Sequence, residues 1–329
     1  MSEDPHFKTI ETMSTAHVLS RCLHVTAALG VADVLGDEPE TVQVLAGRVG
    51  ASPRGLRSLM RALAAEGIFA DVGGQFSHTP ASLMLRDDHP RSMRSYVRWM
   101  GAAFQWDAYG ELEQSVRAGK PAAANRPRGL FGVLEQDPEL GRLFDETMTA
   151  KSHEKIAAIL DAYDFGGASE VCDLGGGNGH LLQGILQRYG AVKGVLFDLP
   201  RVIEKAVSTA SNRLALVGGD FFTDPLPAAD LYLMMNVLHD WEDADAHALL
   251  ERVRRAARPH ARILAIEAIV PETARPHPAN LMDVGMLALV GSFERTEGEY
   301  ARLLRGAGFS VNALIETDSD ISILEAIAA

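Results

Sequence analysis

Seven short apolar runs, spaced by amphipathic helical stretches, constrain the second half of this chain more than any other feature. They are Glu170–Leu174, Val195–Phe197, Leu214–Val217, Leu231–Met235, Ile263–Ala268, Val311–Ile315 and Ile321–Ala326. Strands that alternate with helices fold into a mostly parallel, doubly wound sheet with helices on both faces. The last two runs are joined only by Thr317-Asp318-Ser319-Asp320. That is too short for a crossover helix, so they form an antiparallel hairpin at the end of the sheet. The change of character falls at Phe165-Gly166-Gly167, which sets a boundary near Gly166 with a long helix before it bridging the two parts.

The first third reads as helices. From His17 to Leu35 nearly every helical face is apolar (Val18, Leu19, Leu23, Val25, Ala27, Leu29, Val31, Val34). Such helices need cover on more than one side, which points to a subunit interface or to full burial in one domain. Val42, Leu45, Ala46 and Val49 then form one stripe that Gly50 ends, and Leu56, Leu59, Met60 and Leu63 line a second helix. Ser52-Pro53 is an N-cap followed by proline at the first helical position. Gly67–Ala70 and Gln75–His78, split by Gly73-Gly74, read as a short hairpin. Together this is a winged-helix pattern. Residues from Pro90 to Leu160 are again helical, punctuated by a loop from Lys120 to Pro127. The expected division is therefore 1–90, 91–165 and 166–329.

The chain has 329 residues, too long for one ordinary domain. Its two cysteines, Cys22 and Cys172, are far apart and give no disulfide framework. A formal net charge of −13 repels nucleic acid and anionic membrane, and no apolar stretch reaches the length of a membrane span. The acidic start Met1-Ser2-Glu3-Asp4-Pro5 has no signal-peptide character, so a cytoplasmic location is expected.

The strongest local signal is Asp173-Leu174-Gly175-Gly176-Gly177-Asn178-Gly179-His180, after a strand and opening a helix. Glycines let a backbone approach a ligand closely, and a helix N-terminus offers free N–H groups. As a dinucleotide fingerprint it fails, because the third glycine falls on His180. A loop cupping the amino-acid portion of S-adenosylmethionine fits better. The next strand ends in Phe197-Asp198-Leu199-Pro200, where Asp198 either receives both ribose hydroxyls or caps the following helix. Gly218-Gly219-Asp220-Phe221-Phe222 places an acid and an aromatic where an adenine fits, although both rings are equally readable as core.

The fourth strand runs into Asn236-Val237-Leu238-His239-Asp240-Trp241. Ligands of open α/β sheets lie beyond the carboxyl ends of the strands, so His239 stands at the mouth of the site. An imidazole with an ordinary pKa near ~6.5 suits it to take the proton from a hydroxyl acceptor. Asp240 caps the helix near Glu242 or faces the substrate, and Trp241 is a candidate wall. Glu267, at the end of the fifth strand, and Glu294, in Gly291-Ser292-Phe293-Glu294-Arg295-Thr296, are both candidates to orient the imidazole. Linear spacing shows no metal-ligand cluster, and none is expected.

These motifs, in this order over nearly the whole chain, resemble the plant-type small-molecule O-methyltransferases. That is the family of caffeic acid and acetylserotonin O-methyltransferases with its bacterial natural-product branch. The likeness rests on the winged-helix start, the glycine loop at Asp173, F-D-L-P at Phe197, G-D-F-F at Gly219, L-H-D-W at Leu238, the glutamate before Val270-Pro271, and E-R-T at Glu294. It implies an α/β fold with a helical winged-helix dimerisation domain (1–90), a helical linker and substrate-lid region (91–165), and an S-adenosylmethionine-binding catalytic domain (166–329). It implies a homodimer through the N-terminal domain, with His239 as base flanked by Glu267 and Glu294. Phe144, Gly175, Gly177, Asp198, Leu199, Asp220 and Phe221 would serve the cofactor, and Met148, Asp240 and Met286 the substrate. Two places depart from the pattern: Met235 replaces a common cation four before the base, and the glycine pair usual before E-R-T reads Gly291-Ser292-Phe293. The expected activity is S-adenosylmethionine-dependent O-methylation of a small, phenolic secondary metabolite. N-, S- or C-methylation, hydroxylation or rearrangement on the same scaffold is the alternative. A DNA-binding reading has only Arg54, Arg57 and Arg61 on the second helix to support it, in a strongly acidic chain.

Overall fold

Packing divides the chain into two compact units, Met1–Gly110 with Phe131–Lys151, and Glu111–Leu130 with Ser152–Ala329. The computed structural model describes residues 4–121, 129–206 and 211–329. Of the loop read from Lys120 to Pro127, everything after Pro121 lies outside the described residues.

In the first unit a helix spans Pro5–Leu29, starting well before the apolar stretch that begins at His17. Its start signal is local: Asp4 accepts from the His6 N–H, and Pro5 sits where a missing N–H costs nothing. Gly30 ends it in the left-handed conformation and a short helix, Val31–Val34, follows. Ala27, Val31 and Ala32 are buried inside this unit against Leu45, Met60 and Leu63. Much of the 18–34 stretch is therefore core rather than open face. On this helix Phe7, Ile10, Met13, Val18 and Leu29 are left in the open, most of them upstream of that stretch.

Helices Val42–Val49 and Pro53–Ala65 bury the two expected stripes. Ser52 takes the N-cap position but its hydroxyl makes no capping bond. Strands β1 (Glu40–Thr41), β2 (Phe69–Val72) and β3 (Gln75–His78) pair antiparallel in the order β1-β3-β2. The hairpin was legible from Gly73-Gly74, whereas the two-residue β1 was not.

The second unit holds a seven-stranded sheet of β4 (Glu170–Leu174), β5 (Lys193–Asp198), β6 (Leu214–Gly218), β7 (Leu231–Met235), β8 (Arg262–Glu267), β11 (Phe309–Glu316) and β12 (Ser322–Ala328). Its order is β11-β12-β8-β7-β4-β5-β6. β4 to β8 are parallel, while β12 runs antiparallel between β8 and β11. Both faces are dry. Tyr232 and Met234 of β7 join one apolar cluster and Leu231 and Leu233 the other, as strand alternation requires. A two-residue parallel pair, β9 (Ile269–Val270) with β10 (Arg295–Thr296), lies beyond β8. Among the described residues no helix is long and apolar enough to cross a membrane.

Chain order reverses between β4 and β7, which makes a crevice at their carboxyl ends. Into it project the loops after β4, β5, β7 and β8.

Candidate active site

The loop after β4 is shaped by steric demand. Gly175 has φ +70°, and a Cβ there would stand 3.0 Å from Val237 Cγ2 in the loop after β7. At Gly176 a Cβ would fall 2.5 Å from the Asp173 carboxylate. No side chain fits either place without displacing the loop. The amide of Gly177 donates to Asp198 Oδ2 at 2.8 Å, and that of Leu199 to Asp198 Oδ1 at 2.7 Å. Asp198 thus ties the tip of β5 to the glycine loop and does not cap the helix Pro200–Ala206. The Leu199 side chain is exposed.

Beneath the loop, Asp173 is buried and its Oδ1 has no hydrogen-bond partner. Burial, reinforced by the neighbouring Asp198 charge, pushes its carboxyl up to about 7. Asp220 accepts from the Phe222 N–H at 2.8 Å, closing its own turn. Phe221 and Phe222 pack edge to face at 5.0 Å, with Trp241 at 5.8 and 4.6 Å from them. Trp241 belongs to this aromatic group.

His239 sits on the single helical turn Leu238–Asp240 after β7. Its Nδ1 is 2.8 Å from Glu294 Oε1 and 3.7 Å from Glu267 Oε2. With Glu294 accepting from Nδ1–H, the neutral ring keeps Nε2 as its proton acceptor. Asp240 Oδ1 lies 3.6 Å from Nε2, beyond hydrogen-bond range, and Asp240 makes no side-chain cap for the helix Asp243–Ala256. The two glutamates have different tasks. Glu267 Oε1 accepts from the backbone N–H of Val237 and Leu238 at 3.1 and 2.8 Å, holding the turn, while Glu294 holds the ring. One oxygen of each carboxylate is buried without a partner. Atoms of His239, Glu267 and Glu294 lie within 4.8 Å of one another, a cluster that sequence spacing concealed and that is tight enough to hold a cation.

The ordinary imidazole pKa assumed from the sequence does not hold here. Burial disfavours the imidazolium, but the Glu267 charge, the Glu294 hydrogen bond and Asp240 outweigh it and push His239 up to about 10. Burial likewise raises Glu267, to about 7, against the pull of the imidazolium.

Asn236, Asp283 and Arg295 were given no role from the sequence. Asn236 has φ +53°, a conformation asparagine tolerates better than most residues, and its buried Oδ1 has no partner. Ser292 donates from Oγ to the His239 carbonyl. Asp283 accepts from the Glu294 N–H at 3.0 Å. Arg295 reaches the same turn from the other side. Met286 is buried on the helix Pro278–Leu289. Phe144 and Met148 lie on the helix Pro138–Ala162, in the part assigned to the first unit, where Phe144 meets Trp99 edge to face at 5.2 Å.

A sheet of this order, with a glycine loop and an acidic strand tip at its switch point, defines a protein of the nucleoside-binding α/β class. Comparison with known proteins narrows the class. A family model of the O-methyltransferase domain matches residues 109–310, and one of the O-methyltransferase dimerisation domain matches residues 11–88. The chain is 34% identical over 321 residues to phenazine O-methyltransferase PhzM of Lysobacter antibioticus, covering 95% of this chain and 94% of that one. It is 36% identical over 301 residues to 8-amino-8-demethylriboflavin N,N-dimethyltransferase of Streptomyces davaonensis, covering 88% and 86%. The crystal structure of human N-acetylserotonin methyltransferase in complex with SAM matches with a TM-score of 0.91 at 29% identity, covering 100% of this chain and 99% of that one. The chain belongs to the O-methyltransferase family and is an S-adenosylmethionine-dependent methyltransferase.

Proposed function

We propose that the enzyme methylates a hydroxyl, phenolic in character, on a small-molecule secondary metabolite, with His239 as the general base. The observation that carries this is the His239–Glu294 contact of 2.8 Å, which orients the ring and leaves Nε2 to take a proton.

The residues present fit S-adenosylmethionine. The buried, unpartnered Asp173 Oδ1 suits an ammonium, and space over Gly177 is open to at least 4 Å. Asp198 at the tip of β5 suits a ribose, and Asp220 with Phe221 an adenine. Gly175 and Leu199 complete the cofactor set proposed for the second unit. When bound, the cofactor supplies an electrophilic methyl group on a sulfonium.

The chain's own part is to place the acceptor and remove its proton. Within the second unit, Asp240 and Met286 are proposed to contact the acceptor. The imidazolium that forms at His239 is stabilised by the charge of Glu294 and, through space, by Glu267. The raised pKa of His239 favours that product state but lowers the fraction of free base at neutral pH. Because the glycine loop abuts the base turn at Val237, a cation held on that loop works in the opposite sense and favours neutral imidazole.

The match to the dimerisation-domain model and the exposed Phe7, Ile10 and Met13 support a homodimer built through the N-terminal unit. N-methylation is the second reading, favoured by the similarity to an N,N-dimethyltransferase. Transfer of labelled methyl across a panel of phenols and aromatic amines tests the choice. Methylated phenols are expected, and turnover confined to amines would overturn the hydroxyl reading.

A further inference from the structure

Arg295 is the largest of the fully buried side chains, with none of its surface exposed, and it is spent on the backbone of the base turn. Its Nη1 donates to the Leu238 carbonyl at 2.9 Å and its Nη2 to the Trp241 carbonyl at 2.7 Å. These two carbonyls bracket His239. Nε and Nη2 also reach Asp243 Oδ1, at 3.0 and 2.9 Å, at the start of the next helix. The guanidinium is stacked 4.5 Å from the Phe293 ring centroid, with the Tyr300 ring at 5.8 Å.

We propose that Arg295 is a positioning residue for catalysis: it clamps the turn carrying His239 to the segment carrying Glu294, so that base and carboxylate move as one piece. This rests on His239 being the base.

Three facts support it beyond the hydrogen bonds. Arg295 follows Glu294 directly, so any shift of that segment moves both partners of the turn. Ser292, two residues earlier, donates to the carbonyl of His239 itself, so the same segment grips the turn on either side of Glu294. Finally, Arg295 and Thr296 pair in parallel with Ile269 and Val270, which follow Glu267. The guanidinium thus closes a ring of three chain segments, and each contributes one member of the His239–Glu267–Glu294 set. A planar fork suits this task, since a single ammonium cannot serve two diverging carbonyls and a carboxylate together.

The test is Arg295→Lys, which keeps the charge and most of the volume, measured in wild-type and His239→Ala backgrounds. A misplacement of about 1 Å can cost about a hundredfold in rate. In the wild-type background, kcat should fall by about ten- to a hundredfold while S-adenosylhomocysteine affinity stays within about twofold. The rising limb of the kcat–pH profile should move, because a loosened His239–Glu294 contact changes where the base titrates. In the His239→Ala background the same substitution should change kcat little. An equal loss in both backgrounds, or a lower Tm with kcat and pH profile unchanged, would show a merely structural role. If Arg295→Lys does not fold, Ser292→Ala and the change at the exposed anchor, Asp243→Ala, taken through the same cycle, must show the same non-additivity, and additivity overturns the proposal. Failure of the base reading looks different: His239→Ala alone would then retain the rate.

Discussion

Replacing Glu294 by glutamine keeps the shape of the group beside His239 and removes its charge. Glu294 Oε1 is 2.8 Å from Nδ1, and the carboxylate is buried, so the contact is a charge-assisted hydrogen bond with little solvent screening. Such bonds contribute about 1.5–3 kcal/mol net, and one pKa unit corresponds to about 1.4 kcal/mol. His239, pushed up to about 10, should therefore titrate about one to two units lower in Glu294→Gln. It should not fall to its ordinary value, because Glu267 Oε2 remains 3.7 Å from Nδ1. The sign follows from what catalysis needs. Only neutral imidazole accepts a proton, so the wild-type rate rises with pH through the pKa that His239 has with cofactor bound, raised by Glu267 and Glu294 and lowered in part by the bound cation. Glu294→Gln should move that rising limb to lower pH and also lower the plateau, since the imidazolium formed in the reaction loses its partner. The assay is kcat from pH 6 upward for both proteins on one phenol, whose own ionisation near ~10 is common to the two profiles, so that the shift between them is read. A limb that stays in place, or moves to higher pH, would refute the reasoning.

Two further outcomes are expected. Asp198→Ala removes the acceptor for the Gly177 and Leu199 amides and the proposed ribose partner, so S-adenosylhomocysteine should bind at least about tenfold more weakly by calorimetry, whereas unchanged affinity would remove Asp198 from the site. The wild-type protein should sediment as a dimer and Met13→Glu, on the exposed apolar helix face, should yield monomer; a wild-type monomer at micromolar concentration would defeat the interface.

The sheet was readable because its strands are continuous apolar runs, and the chemistry-bearing motifs other than that of Glu294 sit where one of them ends. Glu267 could be picked from its place at a strand tip, but its bonds to the Val237 and Leu238 amides could not, since nothing local to either segment encodes them. Arg295 reads in sequence as one more charged residue, and only the tertiary fold shows it buried between two carbonyls. The pKa of His239 was misjudged for a related reason. Asp240, Glu267 and Glu294 converge on one ring from three separate stretches of chain, and burial strengthens what they do to it. At the other end, the helix start at Pro5 was overlooked although Asp4-Pro5 is a sound capping pair, because its first three turns carry no buried face. Pairs as short as β9 and β10 leave no periodicity to read.

The base assignment is most directly tested by the single-turnover rate of His239→Ala with saturating acceptor and S-adenosylmethionine. Loss of a general base typically costs about 10²–10⁴ in rate. The rate should fall by that order, the pH dependence should flatten, and S-adenosylhomocysteine affinity should stay near wild type. Glu267→Gln and Glu294→Gln should each fall less, because they hold the base and its turn without taking the proton. A His239→Ala rate within about threefold of wild type, well short of the general-base range, would mean that proximity alone drives the transfer and that His239 only lines the site.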